Sequence, residues 1–437
     1  MQPSVTILDN VHIVTMNTQW DEYPQGALAF AGGNVLAVSQ RQGILAQFPA
    51  ATVLDGKGKL LLPGFINAHT HVAMAYFKGL ADDLVLQTWL QEHIWPAEAK
   101  FLGTEFVHHA TLQGAAEMLR GGTTTFHDMY FYEPATARAC AETGIRGVLG
   151  EGILSMPVHG HHGAEDTIAY TLEQARLHAG DPLVRFELAP HAIYTCTEDD
   201  LRKVAAAARE HNLRVHIHLS ETEQELTDCL RQHSKRPVQY LQELGLLGPH
   251  VMLAHGVWVD DEEAAILAET GTAVAICTRS NLKLASGFAP VHSYVKHGVK
   301  LCLGTDSVAS NNTLSMFSEM SLLARLHKTL TQDPTFLPAR EVVAMCTRHA
   351  AEAMQRSNIG VLEPGRSADF SLLRLDDVSS MPVYDVYSHI VYALEASAVQ
   401  DVFVQGEPVL RDGHLTRVDE AELLRRAQHY RREVAGR

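Results

Sequence analysis

Short apolar stretches recur through the middle of the chain, each followed by a segment whose apolar positions repeat at helical spacing. Leu60–Ile66, Thr123–His127, Gly147–Gly150, Val184–Ala189, Arg214–His218, Val251–His255, Ala273–Cys277 and Lys300–Gly304 read as strands. Leu201–His211 and Asp261–Thr270 are examples of the helices between them. Near-continuously apolar strands joined through helices make a parallel sheet with helices on its faces. Eight of them in roughly 300 residues fit a TIM-type (β/α)8 barrel.

The two ends alternate differently. Val5–Ile7 and His12–Thr15 flank an Asp9-Asn10 turn, and Leu28–Ala31 and Val35–Ser39 flank Gly32-Gly33-Asn34, a strong hairpin signal. Phe370–Leu373 is strand-like, and Val402–Val404 and Val409–Leu410 flank Gly406-Glu407-Pro408. A helix over Glu420–Ala435 closes the chain. The expectation is an α/β protein: a barrel over residues 62–365 and a small β-sandwich domain formed from both termini, residues 1–61 and 366–437.

Polar residues then pick out one end of the barrel. His69, His71, His127, His191, His218, Glu221, His255 and Asp306 all stand at or just beyond the C-terminal ends of predicted strands. Barrel active sites are built at that face. In Pro63-Gly64-Phe65-Ile66-Asn67-Ala68-His69-Thr70-His71 an apolar strand ends in two histidines two residues apart, so both imidazoles face one way. That begins a metal coordination shell. Among 25 histidines other such pairs arise by chance, and His159-Gly160-His161-His162, set among glycines, reads as a solvated loop. In Val215-His216-Ile217-His218 only the outer residue, His218, needs to reach a metal, leaving His216 to fill a layer of the barrel interior.

Asp306, ending the last strand, completes the shell and accepts a proton from water; His255 is either a further ligand or a group polarising that water. Glu221, three residues beyond His218, stands where a carboxylate shuttles protons without binding the ion. The fourth strand end reads Glu187-Leu188-Ala189-Pro190-His191, with no lysine to bridge two metals. One divalent ion held by His69, His71, His218 and Asp306 follows. All-N/O ligation suits zinc, with iron and manganese as alternatives.

Composition removes several function classes. A formal net charge of −16 opposes a nucleic-acid partner, which needs clustered cations; the basic run around Arg425, Arg426, Arg431 and Arg432 is interspersed with acids on a helix face. No apolar run reaches the ~18 residues of a membrane span. Met1-Gln2-Pro3-Ser4-Val5 lacks the basic and apolar regions of a secretory leader. Six scattered cysteines without C-x-x-C spacing read as buried small hydrophobes in a reducing, cytoplasmic setting.

The motifs together resemble the amidohydrolase superfamily. The resemblance rests on Pro63 to His71, His218 to Glu221, Leu253-Ala254-His255, Gly304-Thr305-Asp306-Ser307 with Ser310-Asn311-Asn312, and Leu362 to Asp369. Within it, Gly79-Leu80-Ala81-Asp82-Asp83-Leu84, Trp89 to Glu98 and Ser280 to Gly287 are similar to the 5-methylthioadenosine/S-adenosylhomocysteine deaminase family. That resemblance implies metal-dependent hydrolytic deamination at C6 of a small-molecule adenine nucleoside thioether, with adenosine a further substrate. Glu221 then protonates ring N1, and His255 and Asp306 handle the water protons. Glu98 hydrogen-bonds the ribose hydroxyls, His191 touches substrate, and a homodimer or tetramer is implied. Read without the family, Glu98 is a helix-surface acid. Members usually place an arginine just after strand three, near the thioether tail, where this chain has Leu149-Gly150-Glu151-Gly152. The rival expectations are a guanine or cytosine deaminase or triazine hydrolase with the same site, and a non-enzymatic scaffold.

Overall fold

The computed structural model describes residues 4–85 and 88–435; Met1-Gln2-Pro3 of the leader reading lie outside them. The chain opens with β1 (Thr6–Val14), β2 (Glu22–Ala31), β3 (Asn34–Gln40), β4 (Thr52–Asp55) and β5 (Lys59–Pro63). The middle carries β6 (Phe65–Thr70), β7 (Thr123–Tyr130), β8 (Arg146–Ile153), β9 (Val184–Phe186), β10 (Ala189–Pro190), β11 (Val215–Leu219), β12 (Val251–His255), β13 (Ala273–Ile276) and β14 (Lys300–Leu303). Then come β15 (Phe370–Arg374), β16 (Val399–Val404), β17 (Glu407–Arg411) and β18 (His414–Leu415).

The middle strands pair in parallel as β10-β8-β7-β6, with β9 on β8, and as β11-β12-β13-β14. Bridges Leu188↔Val215 and Ala192↔His218 join the two sheets on one side. On the other, the Asp306 N–H donates to the His69 carbonyl at 2.9 Å. That closure needs glycine at position 304, because a Cβ there would stand 2.7 Å from the His69 backbone nitrogen. The expected (β/α)8 barrel results, its fourth strand made of two short pieces.

Strands from both ends of the chain form one further sheet, ordered β18-β17-β16-β15-β5-β1-β2-β3 with β4 on β1. Two local expectations change. Leu60–Ile66 is not one strand: β5 pairs with β15 and β1, whereas β6 pairs with β7. The switch falls at Gly64, where a Cβ would meet Thr124 Cγ2 at 2.1 Å, so only a glycine lets the backbone pass. The Asp9-Asn10 turn is instead a bulge within the single strand β1, with Asn10 at φ 57°. The β2–β3 hairpin forms as expected.

The helix Glu198–His211 starts in a Thr197 capping box and Asp261–Thr270 in one from Asp260. The closing helix Glu420–Ala435 buries Leu423 against Leu112, Ala116 and Ala139 of barrel helices, and its Tyr430 stacks on Tyr76 with centroids 4.7 Å apart. All six cysteines are buried and unpaired. Among the described residues no helix is long and apolar enough to cross a membrane.

Candidate active site

Strand β6 carries His69 and ends one residue before His71; β11 carries His218, and the turn after β14 carries Asp306. The four side chains converge. His71 Nε2 lies 3.2 Å from His218 Nε2 and 3.3 Å from Asp306 Oδ1, and His69 Nε2 lies 3.5 Å from the same Oδ1. Ligands ~2.0–2.1 Å from a common centre stand about 3.3–3.4 Å apart at tetrahedral angles. The donor set therefore fits a divalent ion. His69 Nε2 adds a second argument: it is buried and has no hydrogen-bond partner.

Each imidazole is aimed by its other nitrogen. His71 Nδ1 meets the Met129 carbonyl, His218 Nδ1 meets the His191 carbonyl at 2.9 Å, and His69 Nδ1 meets His216 Nε2 at 3.0 Å. Asp306 Oδ2 accepts from Ser280 Oγ at 2.5 Å and Ser310 Oγ at 2.8 Å, which turns Oδ1 toward the histidines. Burial drags His69 down to about 3. Burial lowers His71 too, but the hydrogen bond and charge of Asp306, with the Met129 carbonyl and Asp128, together outweigh it and lift the group to about 9. Asp306 is held well below the carboxylate range, burial being overcome by its His69 and His71 contacts. A metal held here would need His71 as the neutral imidazole, without the proton that Asp306 favours.

Glu221 and His255 stand beside this cluster, His255 Nε2 4.0 Å from Glu221 Oε2. His255 Nδ1 donates to Asn281 Oδ1 at 2.8 Å. Glu221 is buried, and that burial raises its pKa. The helix that follows, Glu223–His233, is capped by Thr222 rather than by Glu221. Ser220, His255 and Asp306 sit at φ 54°, 74° and 58°, left-handed conformations that cost non-glycine residues energy and cluster at functional sites.

Glu98 is not a surface acid. It lies buried on the helix Trp95–Phe101 and accepts from Tyr130 Oη at 2.6 Å. Burial pushes its pKa up to about 7. Tyr130 is the last residue of β7, three residues beyond the strand end that the apolar pattern predicts at His127, so its place at this face is hidden in the sequence. His191 bonds Thr195 Oγ1 at 2.9 Å and lies with its ring 4.9 Å from that of His218; burial lowers it to about 4.

His127 does not join the site. It lies in the barrel interior, stacked on His216 at 3.9 Å between centroids and hydrogen-bonded to Glu187. His216 fills that layer as expected, yet it also touches a cluster histidine through His69. The His159–His162 loop is less solvated than expected: His159 packs on Phe131 with centroids 4.4 Å apart, and His161 lies 3.4 Å from Glu151. Glu151, near the end of β8, is buried and accepts from the N–H groups of Tyr132 and Glu133 at 2.8 and 2.9 Å. At this barrel face Lys283 Nζ binds Asp82 Oδ1 and Asn312 Oδ1, both at 2.5 Å, tying together three of the quoted motifs.

A closed α/β barrel with a histidine–carboxylate cluster at its C-terminal face defines a class, and the chain belongs to the amidohydrolase family, whose sequence pattern matches residues 60–409. It is 44% identical over 419 residues to the 5-methylthioadenosine/S-adenosylhomocysteine deaminase of Thermodesulfovibrio yellowstonii, covering 95% of each chain. It is 40% identical to the 5'-deoxyadenosine deaminase of Methanothermobacter thermautotrophicus, covering 92% of this chain and 95% of the other. The crystal structure of an adenosine deaminase from Xanthomonas campestris with bound zinc superposes with a TM-score of 0.97 at 34% identity, over 100% of both chains.

Proposed function

We propose that this protein is a metal-dependent hydrolase that deaminates adenine nucleoside thioethers, 5'-methylthioadenosine or S-adenosylhomocysteine, to the inosyl product and ammonia. Relatives carrying that name match almost the whole chain. The observation that carries the reading is the convergence of His69, His71, His218 and Asp306 with Glu221 and His255 beside them and a second buried carboxylate, Glu98, held by Tyr130. The chemistry belongs to residues 62–365, with both termini forming the smaller composite domain. Six unpaired buried cysteines support a reducing, cytoplasmic setting. The family resemblance supports a homo-oligomer.

His69, His71, His218 and Asp306 hold one ion, zinc in the first instance. When bound, that ion supplies a Lewis acid that brings the pKa of water to ~7. Glu221, its pKa raised by burial, is placed to deliver a proton to ring N1, drawing electrons away from C6. His255 has Nδ1–H committed to Asn281, so its Nε2 is the basic atom that receives a proton from the attacking water. Asp306 shares that task through Oδ1, since its Oδ2 is held by two serine hydroxyls. That proton leaves with the C6 amine as ammonia, and the second proton of the water returns to Glu221 as the C6 carbonyl forms. Glu98 accepts from the ribose hydroxyls and orients the nucleoside, while His191 lines the substrate side of the cluster.

Loss of adenine absorbance is followed with both thioether nucleosides, adenosine and 5'-deoxyadenosine, beside guanine and cytosine, before and after chelation and zinc return. Turnover of the 5'-substituted nucleosides that vanishes on chelation and returns with zinc is expected. Activity on guanine or cytosine alone would sink the assignment.

A further inference from the structure

A cavity of about 810 Å³ opens where the terminal sheet meets the barrel. It is at the opposite end from the catalytic cluster: Arg146 begins β8 and Arg185 lies in β9, on the N-terminal side of the barrel. Three guanidinium groups line it, Arg146, Arg185 and Arg356, with Asn34 and Gln405 from the terminal sheet. Arg146 is fully engaged, donating to Asp369 Oδ2 at 2.5 Å and Oδ1 at 3.1 Å, to Ser367 Oγ at 2.7 Å and to the Pro182 carbonyl at 2.5 Å.

Arg356 is not. It is 3% exposed, and its Nε and Nη1 atoms are buried without any hydrogen-bond partner. Arg185 is exposed at the cavity, and among the described residues it meets no carboxylate within ion-pair distance. Asp181, also at the cavity, spends Oδ1 on the N–H groups of Leu183 and Val184 at 2.7 and 3.0 Å. Burial, reinforced by Arg146 and Arg185 and only partly offset by the charges of Asp369 and Asp181, draws Arg356 down to about 9, so it remains cationic at neutral pH. A desolvated cation without a partner is costly, and buried charges are ordinarily paired. Glu407 also lines the cavity, and among the described residues neither it nor Asp181 forms an ion pair with Arg356 or Arg185.

We propose that this cavity is an oxyanion site that takes the phosphate group of a small phosphate ester between Arg356 and Arg185. Two guanidinium forks match the oxygens of a phosphate and hold them by charge-assisted hydrogen bonds. The volume exceeds a bare ion and suits a ligand with an organic body. The site is separate from deamination and does not depend on the assigned substrate.

The test uses the full metal-loaded chain and calorimetric titration with inorganic phosphate, ribose 5-phosphate and, as the neutral control, ribose. Saturable binding of ribose 5-phosphate is expected, tighter than that of phosphate, with none for ribose. Arg356→Met, which keeps the apolar volume, should weaken it by roughly tenfold or more, and Arg185→Gln by several-fold. Because Arg185 is exposed, its variant folds even if the Arg356 variant does not. Absence of saturable binding to wild type, or equal affinity in wild type and Arg185→Gln, overturns the site. Equal affinity for the ester and the free ion overturns the ester as its occupant.

Discussion

Replacing Tyr130 by phenylalanine isolates one oxygen atom. Tyr130 Oη donates to Glu98 Oε1 at 2.6 Å in a buried setting, where burial has already pushed Glu98 to about 7. A hydrogen bond to a charged group contributes about 1.5–3 kcal/mol, or ~1–2 pKa units at 1.36 kcal/mol per unit. Tyr130→Phe removes a bond that favours the carboxylate, so the Glu98 pKa rises to roughly 8–9. At pH 7 the ionised fraction then falls from about one half to ~1–10%, and if the carboxylate receives the ribose hydroxyls KM rises ~5–50-fold. The sign is fixed: affinity is lost as pH falls through the Glu98 pKa, and the variant moves that window upward. KM measured between about pH 6 and 9.5 should separate the two proteins at neutrality and bring them together at the alkaline end, with kcat little changed. Superimposable KM profiles, or a loss confined to kcat, would refute the link between Tyr130, Glu98 and ribose.

Two further substitutions test the cluster. Glu221→Gln should retain its metal and lose ~10²–10⁴ in kcat, the usual contribution of a positioned proton donor; near-normal turnover excludes it from that role. His216→Phe removes the partner of His69 Nδ1 and should lower metal affinity ~10–100-fold, read as metal content after dialysis against a weak chelator with circular dichroism as the folding control. Undiminished retention would reduce His216 to core filling.

The parallel strands were legible because they are apolar on both faces, so their ends stand out wherever polarity returns. The period of two made His69 and His71 visible as a pair, and polarity returning at a strand end marked His218 and Asp306; the structure brings all four together. What remained hidden depends on contacts distant in sequence. Leu60–Ile66 is one unbroken apolar run, and it divides between two sheets because Thr124 crowds Gly64. His127 has the same sequence environment as a site residue, but β7 continues to Tyr130 and leaves the histidine a layer below the opening, bonded to Glu187.

Glu98 shows why local polarity misleads at such a face. On the helix Trp95–Phe101 it is flanked by alanines and followed by Lys100, a solvated-helix pattern. Only the packing of that helix over the end of β7 buries the carboxylate and provides it with the Tyr130 hydroxyl. The same packing lifts its pKa to about 7, whereas a solvated glutamate would stay fully ionised at neutral pH and hold no such sensitivity. A carboxylate that titrates near neutrality is thus a property of the assembled face, absent from the helix that carries the residue.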